Sequence, residues 1–367
     1  MRITALSGGV GGARFLRGLL AAGAGRGSSH EFTVVGNTAD DVTLSGLRVC
    51  PDLDSVMYTL GGGADDERGW GRRGETGAVA AELGAYLDAG GVPADWFTLG
   101  DLDLATHLLR TRLLDAGASL SAVTEQLCHR WSPGVRLLPM TDDRVETHVV
   151  VDAAEAALDA ASVRSPLAAG LAGPGEVALH FQEWWVRHHA VPPARRVVVA
   201  GARGATPAPG VVAAIRDADV VLLPPSNPVV SLGAVLAVPG VRRALAETGA
   251  PVVGVCPVVG GRPVRGMADA CLRAVGVPTT AAAVAGLYAD VLDGWLVDPP
   301  DAPDARAGAA GWVVRAEPLL MTTPVDAARI AAAALDLAAE VATLGLDQRS
   351  RLGSRPGVPA AHAGLVA

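Results

Sequence analysis

Short runs of Val, Ile, Leu and Ala recur along the chain, bounded by Gly, Pro, Asn or Asp. They fall at residues 3–6, 32–35, 135–138, 147–151, 197–200, 220–223, 252–256 and 292–297. Such runs read as buried strands. Between many of them the apolar positions return every three or four residues, at 12–22, 78–87, 104–114, 120–131, 241–248 and 326–342, the spacing of one helix face. Strands alternating with helices predict an α/β protein, a Rossmann-like, mainly parallel sheet with helices on both faces and a smaller inserted or flanking lobe. Sheets of this kind present ligand sites beyond the carboxyl ends of their strands.

No repeat of fixed period interrupts the pattern. Residues 153–175, rich in Ala, Gly and Ser, lack a clear period and read as a connection between lobes. The expected organisation is one domain over 1–345, with the smaller lobe at about 135–195 and a disordered tail over 346–367.

Half of the 367 residues are apolar but only 4% are aromatic, so a large core is available and Ala, Val and Leu fill it. No stretch is apolar for long enough to span a bilayer, and no signal-peptide pattern is read at the N-terminus. The expected location is the cytoplasm, with no membrane partner. The net charge of −8 argues against an electrostatic grip on nucleic acid. All 30 strongly basic side chains are Arg. The absence of Lys excludes a Schiff-base lysine and a Walker-type lysine, whereas Arg can still clamp phosphate. Cys50, Cys128, Cys256 and Cys271 are widely spaced, which predicts reduced thiols and neither zinc nor disulfides.

Gly8-Gly9-Val10-Gly11-Gly12 stands between the first strand and the first helix. Glycine lets backbone N–H groups approach an oxyanion, and the helix adds its positive end. A tight turn with no ligand is the plain alternative. The loop fits a dinucleotide fingerprint poorly: Arg14 takes the third glycine position, and the second strand ends in Gly36-Asn37 without an acid. An NAD-dependent oxidoreductase is therefore a remote alternative. Two acid pairs follow, Asp40-Asp41 and Asp52/Asp54. Singly each suits a turn or the first turn of a helix. Together, beside an anion loop, they predict a divalent cation bridging carboxylate and phosphate, magnesium with manganese as the alternative.

Seven blocks in order, "LSGGVGGARFLRGL", "NTADD...GLRVCPDLDSVMYTL", "WFTLGDLDLATHLLRTRLL", "LLPMTDDRVETHV", "HFQEWWV", "PPSNPVVSLGAVL" and "PVVGGRPVRGMAD", resemble the 2-phospho-L-lactate transferase family of coenzyme F-420 biosynthesis. "GLRVCPDLD" and "FQEWWVRHH" are most similar to its actinobacterial, phosphoenolpyruvate-transferring branch. The resemblance implies phosphoryl transfer: the ribityl hydroxyl of the deazaflavin Fo attacks the phosphate of a guanosine diphosphate ester of enolpyruvate or lactate, magnesium assists, and GMP leaves. The ester and Fo are the implied partners, and a homodimer is allowed for.

On this reading Asp41, Asp52 and Asp54 hold metal, with Asp54 and Asp41 also catalytic. Gly8, Gly9, Gly11, Gly12, Ser226 and Asn227 hold the ester, Gly260 and Gly261 approach the nucleotide, and Asp54, Asp101 and Asp103 contact Fo. Asp101 and Asp103 follow a strand-like run at 96–99, and Leu102, between them, stands where the family usually has a basic residue. Asp103 could equally be a helix N-cap, and His107 reads as a core histidine rather than a base. "PMTDDRVETH" reads as a turn between strands, "PPSNPVVS" could be a rigid capped turn, and Trp184-Trp185 read as packing. A nucleotide-sugar-binding regulator of the related glycine-loop family is the second alternative.

Overall fold

The computed structural model describes residues 1–25, 29–89, 96–156, 165–309 and 311–344. The strands are β1 (Arg2–Ser7), β2 (Glu31–Gly36), β3 (Val42–Leu44), β4 (Leu47–Val49), β5 (Arg136–Pro139), β6 (Glu146–Asp152) and β7 (Glu176–His180). They continue with β8 (Arg196–Ala200), β9 (Val220–Leu223), β10 (Val252–Val255), β11 (Val258–Val259), β12 (Arg262–Pro263), β13 (Gly294–Val297) and β14 (Val313–Ala316). Seven of them form one parallel sheet in the order β14-β13-β10-β9-β1-β2-β5. Every residue of β9, β10 and β13 is buried. Side chains alternate between the faces of a strand, so unbroken burial means that helices cover the sheet on both sides.

Apart from 96–99, the strand runs read from the sequence become strands within two residues, and the helical runs become helices within three. The first five helices are α1 (Gly9–Gly25), α2 (Pro51–Leu60), α3 (Ala78–Ala89), α4 (Asp101–Asp115) and α5 (Leu120–Trp131). Helix Pro324–Thr343 lies against α1 so closely that a Cβ on Gly18 would sit 2.3 Å from the Ala327 backbone.

Residues 96–99 are irregular, although the sequence reads as a strand there. Trp96 and Phe97 meet edge to face, with centroids 5.8 Å apart, and pack on the small cluster of Val42, Leu44, Val49 and Leu99. Their apolar character thus serves side-chain packing, with no ladder partner. Conversely β14 escapes the sequence reading because it is an edge strand, only partly buried along its length.

A second sheet of three antiparallel strands, β7-β6-β8, stands beside the first. Val149, Leu179, Phe181 and Trp184 from this region join the same buried cluster as Leu6 and Leu222 of the main sheet. The first residues of β6 are tied to the loop after β2, with Thr147 N donating to Ala39 O at 2.6 Å. The expected tail over 346–367, and residues 157–164 of the Ala-rich connection, lie outside the described residues.

Candidate active site

The strand order reverses at β1, with β2 and β5 on one side and β9, β10, β13 and β14 on the other. Neighbouring connections there leave in opposite directions, which opens a crevice between the carboxyl ends of β1 and β9. A cleft of about 240 Å³ occupies that place. Its walls include Gly8, Gly9, Gly11, Asp40, Asp52 and Asn227.

The glycines are needed first for packing. A Cβ on Gly8 would fall 2.5 Å from Asp52 Oδ2 and 2.7 Å from Ser231 Cβ. One on Gly11 would fall 2.7 Å from Pro225 O, and one on Gly12 within 3 Å of the Ser7 and Ser226 hydroxyls. Gly9 alone has room, but its φ of +67° suits glycine. The result brings the loop after β1 hard against α2 and the loop after β9. Ser226 fastens the two loops: its Oγ accepts from Gly8 N at 3.1 Å and donates to Gly8 O at 2.8 Å. Asn227 Oδ1 accepts from Val229 N and Val230 N, capping its own turn, while its Nδ2 reaches Cys271 Sγ at 3.8 Å. The capped turn is thus made by Asn227, whereas Ser226 ties its loop to Gly8; both residues lie on the wall of the cleft.

The four acids divide by neighbour. Asp52 faces the glycine loop and accepts from Asn37 Nδ2 at 2.9 Å. Burial pushes its carboxyl up to about 6, against the stabilising Asn37 amide and Gly9 N–H. Asp40 lies beside it. Burial, then the charges of Asp52 and Asp41, raises its pKa well above the usual carboxylate range. Asp40 Oδ1 is buried with no hydrogen-bond partner. Asp41 does not line the cleft; it faces Arg48, whose Nη2 is 3.4 Å from Oδ2, and burial pushes it up to about 7. Asp54, two residues on from Asp52, is turned to α4. There Arg110 grips both carboxylate oxygens, and Asp54 and Arg110 are both buried.

Asp41, Asp52 and Asp54 are therefore not gathered on one point. Among the described residues no three His, Cys, Asp or Glu side chains form a group able to hold a metal ion. Asp40 and Asp52 are the acids on the cleft wall. A cation fits this pair: it would relieve their mutual repulsion and give the unpartnered Asp40 Oδ1 a ligand. Magnesium commonly takes one or two carboxylates and completes its shell with phosphate and water.

The remaining expected residues stand elsewhere. Asp101 accepts from Thr76 N and Oγ1 on the surface. Asp103 accepts from Tyr58 OH at 2.6 Å inside the α2–α4 contact. Gly100, not Asp103, is the N-cap of α4, so the capping alternative for Asp103 is corrected. His107 is buried beside Asp103 and Arg110, as a core histidine. Gly260 and Gly261, with φ of 58° and 72°, form the turn of the β11–β12 hairpin, and Gly260 N donates to Asp301 Oδ2. Within "PMTDDRVETH", Asp142 anchors Ser121 and Asp143 anchors Thr206, as turn chemistry predicts. The four cysteines are free; burial pushes Cys256 and Cys271 up to about 12, so neither is a thiolate.

Among the cleft residues missed from the sequence, three bear most on ligand binding. Arg14, on the first turns of α1, and Arg265, just past β12, both line the cleft. Arg14 follows the glycine loop, a position from which it could have been inferred; Arg265 carries no local signal. Trp185 is the third. Its partner Trp184 packs as expected, with its indole N–H donating to Pro192 O at 2.8 Å.

Residues 3–319 match the family described as 2-phospho-L-lactate transferase CofD. The chain belongs to that family. It is 56% identical over 346 residues to the phosphoenolpyruvate transferase of Thermobifida fusca, covering 93% of this chain and 99% of that one. The corresponding protein of Streptomyces coelicolor is 57% identical over 344 residues, with the same coverage. That of Mycobacterium tuberculosis is 49% identical over 356 residues, covering 93% and 100%. Among solved structures, protein BH3568 from Bacillus halodurans superimposes with a TM-score of 0.55 at 15% identity, covering 91% of this chain and 99% of that one. That likeness concerns the fold alone. CofD membership makes the protein a transferase, and the relatives above are named as transferases, not as oxidoreductases or regulators. No helix of the described residues is long and apolar enough to cross a membrane.

Proposed function

We propose that this protein transfers a phosphoenolpyruvyl group from a guanosine diphosphate ester to the ribityl hydroxyl of Fo in the cytoplasm, releasing GMP and forming dehydro coenzyme F-420-0. The observation that carries the reading is the glycine loop held against the Asp40–Asp52 pair at the strand-order switch. The names of its relatives favour enolpyruvyl over lactyl as the three-carbon group.

In this mechanism the amides at the start of α1 receive a phosphate oxygen, helped by the helix's positive end. Arg14 and Arg265 add charge that holds the diphosphate and offsets the negative charge spread in a loose phosphoryl-transfer transition state. Asp40 and Asp52 hold magnesium, which when bound neutralises phosphate charge. Ser226 keeps the loop after β9 at a fixed distance from the glycines, so that donor and acceptor meet in line. Asp41 and Asp54 act from behind: Asp41 continues the turn that presents Asp40, and Asp54 fixes α2, and so Asp52, through Arg110.

The test is direct. Purified protein is incubated with Fo, magnesium and the guanosine diphosphate ester of enolpyruvate, and in parallel with that of lactate. GMP is expected one for one with a phosphodiester-linked deazaflavin, only when Fo is present, faster from the enolpyruvyl ester, and abolished by EDTA. Absence of GMP from both esters refutes the reaction, and full turnover in EDTA refutes the metal.

A further inference from the structure

Trp184 and Trp185 are adjacent in sequence and opposite in placement. Trp184 is wholly buried, whereas Trp185 is 38% exposed and forms part of the cleft wall. Phe181 lines the same wall beside it, with ring centroids 5.7 Å apart and planes inclined by 33°. Val264, Met267 and Met321 continue the same apolar wall. The phosphate-binding groups, Gly8–Gly11, Arg14 and Arg265, share this cleft.

The backbone is built to keep Trp185 there. Residues Glu183–Arg187 form a π-helical turn, with His188 N donating to Glu183 O at 3.1 Å. Such turns are rare and concentrate at functional sites. The turn leaves through His189 and Ala190, both in the left-handed region with φ of 50° and 54°. Side chains other than glycine resist that conformation, and it persists only where the surroundings enforce it. Here Ala190 N donates to Trp184 O at 2.9 Å, and the Trp184 indole ties down Pro192 O. One tryptophan is thus the anchor that holds the strained exit, and the other is displayed.

We propose that Trp185 is a stacking platform for the planar heteroaromatic ring of a substrate, either the guanine of the donor or the deazaflavin of the acceptor. The assignment rests on the transferase reading above for the identity of those rings. An indole face over an apolar wall suits a flat ring, whose stacking adds to simple burial. Phosphate groups in the same cleft suit a ligand that carries both a ring and a phosphate-bearing or phosphate-accepting tail.

Titration calorimetry of wild type, Trp185→Ala and Trp185→Phe, with GDP and separately with Fo, tests the platform and distinguishes its two sources. Trp185→Ala is expected to bind one of the two roughly 5- to 150-fold more weakly, the range measured when an aromatic ring is removed from under a base, and the other within about twofold. The KM for the affected substrate rises by the same factor while kcat moves less. Trp185→Phe recovers most of the loss, since a ring remains. Binding of both ligands within about twofold of wild type by the alanine variant overturns the proposal. So does equal loss of both, or a phenylalanine variant as weak as the alanine one. If the alanine variant melts at a lower temperature, the phenylalanine variant decides. A wild type that binds GDP or Fo but forms no GMP refutes the reaction, not the platform.

Discussion

Asp40 and Asp54 sit 14 residues apart and call for opposite experiments. Asp40 is buried next to Asp52 and Asp41 with one oxygen unpartnered, so its charge works against the fold. A carboxylate whose pKa is raised by folding destabilises the native state as pH rises past that of the unfolded chain. Asp40→Asn is therefore expected to melt a few degrees higher than wild type at pH 8 in the absence of metal. Turnover should fall by about two orders of magnitude, the scale of losing one positioned group. A variant that loses neither rate nor magnesium dependence would move the cation elsewhere. Asp54→Asn should do the reverse, because it leaves the Arg110 guanidinium buried with half its grip and without the carboxylate it pairs with. Breaking such a pair costs about 3–5 kcal/mol, readable as an earlier urea midpoint. A fall in kcat at unchanged stability would instead place Asp54 in the chemistry. Both acids were visible in the sequence as members of one cluster. What could not be seen was Arg110, 56 residues downstream, which claims one acid for the α2–α4 contact and leaves Asp52 for the cleft.

Antiparallel strands β6 and β7 do at the level of elements what single side chains cannot: they hold the Asp40–Asp41 turn from outside the parallel sheet. Thr147 N of β6 donates to Ala39 O, next to Asp40, and His180, the last residue of β7, donates from Nε2 to Asp41 O at 3.2 Å. Burial, with the nearby His148 ring, pulls the His180 pKa down to about 3, although Glu146 opposes the shift. The folded protein thus refuses a proton that the unfolded chain accepts below pH 6.5, and stability falls as pH drops from about 6.5 towards 3. His180→Gln should be less stable than wild type at pH 7 but lose less between pH 7 and 4.5. Urea midpoints across that range measure the effect, and parallel pH curves would disprove it. Alternating strands and helices were legible because the apolar periods are strong. The π-turn after β7 was not, since no period in "FQEWWVRHH" says which tryptophan turns inward; that depends on a bond to Pro192. Residues 96–99 misled for the opposite reason: their composition suits a strand, but no neighbouring chain offers a ladder.

Across the whole molecule the site is assembled from distant parts of one chain: the loops after β1 and β9, α2, the turn after β2, the β12 hairpin arm and the segment after β7. The parallel sheet could be expected from the sequence, but the order of its strands could not, because no local pattern encodes which runs become neighbours. That order makes β9 the partner of β1, and it places helix Pro324–Thr343 over α1, whose Gly18 has backbone contact with Ala327. During synthesis this has a consequence in time. The glycine loop leaves the ribosome about three hundred residues ahead of the helix that covers its own helix. At roughly 5–20 residues per second the apolar face of α1 waits tens of seconds for its partner. Until then Gly18 and its neighbours on α1 lack the cover that this helix gives them in the finished fold. The nascent chain should therefore depend on chaperones over that interval, even though the completed protein buries Gly18.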